Sequence, residues 1–396
     1  MLEPAGTGQP FPRAFLRVAG ASLAQHQLGV ALALDCQRLI CVARGNSPEL
    51  IALQHAAEGA GLRFHIVNGP QQLSALVTAN DELIVITEGL FAEVADVAPL
   101  LEGPRPVVLA LPDDGAVQDG FERLDINNAA AGLMKIPAAL VERLHDLPPD
   151  CDTASALTRI ALQAGAQMRQ VPLEARGGTR WKMVRSESEA LAIETEWLRT
   201  RLAASRSATL SDRLARMGVL AFGSSLLHAG NASGGASIGA LVALALALGS
   251  AWLGSPVLAF ALAALGWVLV RATELLRGAE RQAYSVATPA IPRADVLGWL
   301  VDLSLVAICV LGMGAAPGVF ELALPDRIFA PLMLILMVHL APRLLVDGLA
   351  MWTCDRGVVA LLLAVVSATG YLGGAIRLLA VALTVACILL PPRRAN

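Results

Sequence analysis

Lysine is nearly absent from this 396-residue chain: Lys135 and Lys182 are its only lysines among 30 basic residues. Phosphate chemistry that relies on an ammonium group is therefore confined to two positions. Charge of either sign is scarce at 16%, and a net charge of −3 supplies no basic footprint for nucleic acid. The six cysteines (Cys36, Cys41, Cys151, Cys309, Cys354 and Cys387) form no C-x-x-C pair and no Cys/His ligand group. They read as small buried apolar residues in a reducing compartment, which excludes a disulfide frame and a zinc ribbon. The six histidines, His26, His55 and His65 among them, show no metal-ligand spacing. No basic region followed by an apolar core opens the chain, so a cleaved leader is not expected.

Apolar residues are what the chain has in excess. They make up 55% of it, and the mean hydropathy of +0.60 is too high for an ordinary soluble protein. The length suggests two or three domains.

Residues 1–185 alternate apolar runs of strand length with helix-like segments. "RLICVA" (38–43), "RFHIVN" (63–68), "ELIVIT" (82–87) and "PVVLAL" (106–111) are rich in β-branched residues. Between them, segments such as "SPELIALQHAAEGAG" carry apolar residues at helical spacing. The alternation predicts an α/β domain with a mostly parallel sheet. Asp113-Asp114-Gly115 follows the last of these strands and reads either as a turn or as a cation site at a strand's carboxyl end. "GAG" at Gly59–Gly61 lacks the third glycine of a dinucleotide fingerprint and reads as a helix terminus. Trp181-Lys182 reads as a buried tryptophan closing a small core, or as a lip over a site.

"PRAFLRVAGASLAQHQLGVALALDCQRLICVA" resembles the sugar-phosphate nucleotidyltransferase (glycosyltransferase-A-like) family from Val18-Ala19-Gly20 onward. There, a VAG-x-x-L motif opens a helix that leads into a strand. The resemblance implies that Arg13 and Ala14 stand in place of a Lys-Pro pair. It also implies that Glu88, before Gly89, takes the place of a metal-binding aspartate. No Gly-rich phosphate loop precedes Arg13, so nucleotidyl transfer by this domain is not expected.

Residues 186–217 form a charged, amphipathic helical connector. Glu187, Glu189, Glu194 and Glu196 come first; Arg199, Arg201, Arg206, Arg213 and Arg216 follow. The switch from acidic to basic suits a chain approaching the cytoplasmic face of a membrane. Ser211 or Asp212 is placed to cap a short helix at the interface.

Residues 218–396 predict six spans, at about 234–252, 256–271, 296–314, 328–346, 357–372 and 375–390. Arginines gather on one side of them, which predicts a multi-pass protein of the cytoplasmic membrane with its α/β domain and both termini in the cytoplasm. At the end of the second span, Glu274, Arg277, Gly278 and Arg281 share one helical face; Asp295, Gly298 and Asp302 share another on the third. Paired as a hairpin, the two helices bring carboxylates and guanidinium groups into one polar pocket. Charges near a helix end also snorkel to headgroups or simply pair with each other, and the sequence leaves both readings open.

This half resembles the CDP-alcohol phosphatidyltransferase family, whose second helix ends in Asp-x-x-Asp-Gly-x-x-Ala-Arg and whose third carries Gly-x-x-x-Asp-x-x-x-Asp. Four aspartates there bind two divalent metals and supply a base for the acceptor alcohol. Here Glu274 and Gly278 match the first acid and the glycine, and Arg277 replaces the second acid. Arg281 falls one residue short of the family's arginine. Gly298 and Asp302 match on the third helix, and Val306 replaces the last aspartate. The resemblance implies Mg²⁺ or Mn²⁺ on Glu274 and Asp302. It also implies a CDP-activated donor against Arg277, Gly278, Arg281 and Gly298, membrane lipids as partners, and a homodimer. No residue is assigned as catalytic. Three readings follow: a diverged transferase of phospholipid or phosphodiester synthesis, an inactive pseudoenzyme acting as a membrane-bound partner or regulator, and a small transporter. The transporter is disfavoured because no inverted repeat is evident.

Overall fold

In the computed structural model, the described residues are 1, 4, 11–148, 151–204, 209–228, 232–284, 294–314, 324–345, 352 and 355–389. Two compact units emerge. The body of the first is Met1–Thr200; that of the second is Arg201–Glu280 with the helices of Pro289–Asn396.

The first unit is an α/β region. Ser22 caps helix α1 (Leu23–Ala33) through a reciprocal box with Gln25, so a helix opens three residues after Gly20, where the resemblance implied one. Just before it, β1 (Arg17–Val18) and β2 (Ala21–Ser22) turn back on each other through Ala19 and Gly20, both at positive φ. Strands β3 (Arg38–Val42) and β4 (Arg63–Val67) pair in parallel across helix α2 (Pro48–Gly59). A separate four-stranded sheet has β5 (Glu82–Ile86), β8 (Asn128–Pro137), β7 (Val107–Pro112) and β9 (Gln167–Gln170) in that order. All four strands expected from β-branched runs are present.

The expectation of a mostly parallel arrangement is corrected. β8 runs antiparallel to both β5 and β7, and among the described residues only β3–β4 and β7–β9 are parallel pairs. The cause is connectivity. The parallel pairs are separated in the chain by a helix, α2 or α4 (Thr153–Gln163), whereas β7 returns to β8 through residues 113–127 with no crossover helix. The alanine-rich "NAAAGLMKIP" of β8 has little strand signal of its own, but eight of its ten residues are buried. Its side chains alternate between two cores. Ala129, Ala131 and Leu133 join Leu109 and Leu111, while Met134 and Ile136 join Val108 and Leu157. The sheet is thus covered on both faces.

Short strands β6 (Leu90–Ala92) and β10 (Trp181–Met183) pair antiparallel. Trp181 is buried there and donates its indole N–H to Ala131 O at 3.0 Å, so it closes a core. Helix α3 (Val94–Leu101) and the short α5 (Leu173–Arg176) complete the layer. The expected connector is two helices, α6 (Glu187–Ala204) and α7 (Leu210–His228). In α6, Glu194 is fully buried and accepts the Ala19 N–H at 2.9 Å, which docks this helix on the β1–β2 turn.

The second unit is helical. Helices α8 (Ala232–Trp252), α9 (Pro256–Tyr284), α10 (Ala294–Gly314), α11 (Leu324–Leu344) and α13 (Leu372–Leu389) each contain a stretch long and apolar enough to cross a membrane. These are the five such helices among the described residues. Helix α12 (Arg356–Ala368), where the fifth of the six spans was expected, has 13 residues, a length of about 20 Å. Ala240, Leu244, Ala247 and Ala251 of α8 pack at helical spacing against Phe260 and Trp267 of α9 and Val301 and Leu305 of α10. Small residues on α8 let the helices approach closely. Outward, Ile238, Leu246, Trp299 and Leu303 are exposed, as on a surface that faces lipid rather than water.

Candidate functional site

Helix α9 runs unbroken for 29 residues, so the apolar stretch that carries Trp267 and the polar face that carries Arg271, Glu274, Arg277 and Gly278 are one rigid element. Beside it, Asp302 sits on the third turn of α10. Its side chain is only 5% exposed, a position that an ionised carboxylate tolerates only when paired.

Two partners from other helices supply the pairing. Arg356, the first residue of α12, donates Nε to Asp302 Oδ1 at 2.6 Å and Nη2 to Oδ2 at 3.1 Å. His339 of α11 brings Nε2 to 2.8 Å from Oδ2. The two-point guanidinium contact is the stronger kind of carboxylate recognition. Trp299 stacks on the imidazole at 5.2 Å between ring centres, and Trp267 lies 4.6 Å from the Arg356 guanidinium carbon, in cation–π range.

Arg271 also lies over that same indole, its guanidinium carbon 5.9 Å from the ring centre. Its Nε donates to Asp212 of α7 at 2.6 Å, and it also pairs with Glu274. Next to this pair, Asp355 is 1% exposed and joins two helix starts. It accepts the Ser211 N–H at 2.8 Å, the Ser211 hydroxyl at 2.5 Å and the Gly357 N–H at 3.0 Å. The positive ends of α7 and α12 thus share one buried carboxylate. Glu280 plays a similar part for α8, accepting the Ser233 N–H at 2.9 Å and the Ser233 hydroxyl at 2.5 Å.

The expected site residues divide as follows. Glu274 and Asp302 each stand in an ion pair with an arginine, and no group of three or more metal-ligating side chains occurs among the described residues. Both Asp302 oxygens are committed to Arg356 and His339. As arranged, these residues do not fit a divalent-metal centre. Arg277 is half-buried, with Nη2 shielded from solvent and lacking a hydrogen-bond partner among the described residues. Among the described residues a β-carbon at Gly278 or Gly298 would meet nothing within 4 Å, so their packing requires neither glycine. The side chains of Arg281 and Asp295 lie outside the described residues. Val306 packs at the edge of the helical core.

In the α/β unit the structure brings Arg13 and Glu88 near each other. Glu88 accepts the Ala14 N–H at 3.2 Å and lies 3.1 Å from the first nitrogen of the chain, while Arg13 Nε donates to Pro4 O at 3.2 Å. Asp113 pairs with Arg123 at 2.7 Å, and the exposed Asp114 precedes Gly115 at φ +91°. Asp113-Asp114-Gly115 is therefore a turn, of a shape that calls for glycine. His26 is enclosed against Phe91 and the Val18 carbonyl, and burial pushes its imidazole below the ordinary value, partly opposed by that hydrogen bond. Burial likewise pushes the Cys41 thiol up to about 12.

Sequence reasoning missed His339, Arg356, Trp267, Asp355 and Glu280 as members of polar clusters. The signal for His339 was present, since a histidine inside "LMLILMVHLAP" is an ionisable group within an apolar run. Nothing local marked Arg356 as the partner of Asp302. No protein-family model matches the chain, and no curated protein matches it.

Proposed function

We propose that this chain is a non-catalytic membrane protein built like a CDP-alcohol phosphatidyltransferase fused to a degenerate nucleotidyltransferase-like domain, and that it serves as a membrane-bound partner or regulator. One observation carries this reading: the carboxylate that would ligate metal, Asp302, is closed by Arg356 and His339. Glu274 is paired with Arg271, and Val306 stands where a base would be. In this reading α12 is a short fifth helix in a bundle of six, and the α/β unit lies on the cytoplasmic side, where the arginines gather.

The test is turnover and binding of CDP-activated donors by purified protein with Mn²⁺, beside an Asp302→Asn variant. The expected result is no CMP release and no metal effect. Metal-dependent CMP release that disappears in the variant sinks the proposal.

A diverged transferase is the second reading. It is favoured by the buried Nη2 of Arg277, which has no hydrogen-bond partner among the described residues, a guanidinium edge on the residue that would hold a diphosphate. Saturable binding of CDP-alcohols that is lost in Arg277→Ala would move the balance to it.

A further inference from the structure

Asp302 belongs to α10, His339 to α11 and Arg356 to α12, so a single carboxylate joins three helices. A charge buried in an apolar bundle is costly, and removing one partner of such a pair leaves the other uncompensated. Arg356 is held firmly where it stands. Its guanidinium lies against Trp267, and its backbone follows Asp355, which is bound to Ser211 and Gly357. A metal ion approaching Asp302 would have to displace a two-point guanidinium contact anchored at both ends.

His339 completes the arrangement. Its Nε2 lies 2.8 Å from Asp302 Oδ2 and 3.1 Å from Arg356 Nη2. A guanidinium nitrogen only donates and a carboxylate only accepts, so one ring nitrogen cannot satisfy both. The shorter contact is the hydrogen bond, with Nε2–H donating to Asp302.

We propose that Arg356 is the resident cation of this centre: a guanidinium fixed by the chain occupies the place beside Asp302 that a divalent ion would take, and so closes the centre to metals. The inference rests on the reading above only in treating Asp302 as a former metal-ligand position. It goes further in predicting what lies under Arg356. With the guanidinium gone, Asp302 and His339 present one carboxylate and one imidazole, a donor pair suited to Zn²⁺ and neighbouring transition metals.

The experiment follows thermal unfolding of the full-length protein in nanodiscs for wild type, Arg356→Ala, Arg356→Lys and Arg356→Ala/Asp302→Asn. Wild type should be indifferent to EDTA, Mn²⁺ and Zn²⁺. Arg356→Ala should melt lower by on the order of 10 °C. Millimolar ethylguanidinium should recover part of that loss, and ethylammonium should not. Zn²⁺ should raise the melting temperature of Arg356→Ala and leave the double variant unmoved. The double variant should melt above the single one, because the orphaned charge is gone.

Arg356→Ala melting with wild type overturns the proposal, as does a wild type stabilised by Zn²⁺ or Mn²⁺ through Asp302. If Arg356→Ala yields no folded protein, Arg356→Gln is compared with Arg356→Gln/Asp302→Asn. A double variant no more stable than its single parent overturns the proposal. The two readings fail separately: metal-independent CMP release by wild type ends the non-catalytic reading and leaves Arg356 as the resident cation.

Discussion

Replacing Asp355 with alanine should release two helix starts at once. The carboxylate accepts three hydrogen bonds, from the Ser211 N–H, the Ser211 hydroxyl and the Gly357 N–H, at a site 1% exposed to solvent. Losing the cap of α12 costs about 1 kcal/mol. The Ser211 N–H and hydroxyl, stranded without water, add roughly 1–3 kcal/mol each. Because the three contacts share one acceptor they do not simply add, and a total of about 3–5 kcal/mol is expected. Asp355→Asn keeps one acceptor oxygen but turns an amide toward a donor, for about 1–2 kcal/mol. Ser211→Ala removes only the hydroxyl bond, again about 1–2 kcal/mol. Reversible unfolding of the detergent-solubilised protein gives the order, and amide hydrogen exchange shows whether protection is lost at the first turns of α7 and α12. An Asp355→Ala variant within about 0.5 kcal/mol of wild type would refute the reasoning. So would Ser211→Ala costing more than Asp355→Ala, because the serine acts only through that carboxylate.

Two further outcomes follow from the packing and burial of single residues. Gly357→Ala puts a methyl group into the Ser211 hydroxyl and within 3.3 Å of Trp267, so it should destabilise the helical unit by about 1–3 kcal/mol, whereas Gly298→Ala, facing open space, should change unfolding little. His26 is held below its ordinary value in the folded α/β unit, so the unfolded chain binds protons that the folded one refuses. Its contribution is fully present above about pH 6.5 and is lost as pH falls toward the folded value; hydrogen exchange of α1 should speed up over that window in wild type and less so in His26→Gln.

Much of the architecture was legible in the residues. β-branched runs bounded by turn formers placed β3, β4, β5 and β7. The start of α1 came only from the resemblance carried by Val18-Ala19-Gly20, while long apolar stretches marked the spans. β8 was hidden because Ala and Gly carry no strand preference; it is a strand because β5 and β7 flank it. The shared face of Glu274 and Arg277 was readable from helical spacing. Which charge would neutralise which was not.

The sequence by itself determined that this chain holds an α/β region and a set of apolar helices. Those properties come from the local period of side chains along a helix or strand, and from composition. It also determined that Glu274 and Asp302 would be ionisable groups on largely apolar helices. Only the tertiary structure decided that Asp302 meets His339, 37 positions away, and Arg356, 54 positions away. Ion pairing inside an apolar bundle depends on which helices pack together and how each is rotated about its axis. Those two quantities are fixed by the sum of many contacts, and no single stretch of sequence encodes them.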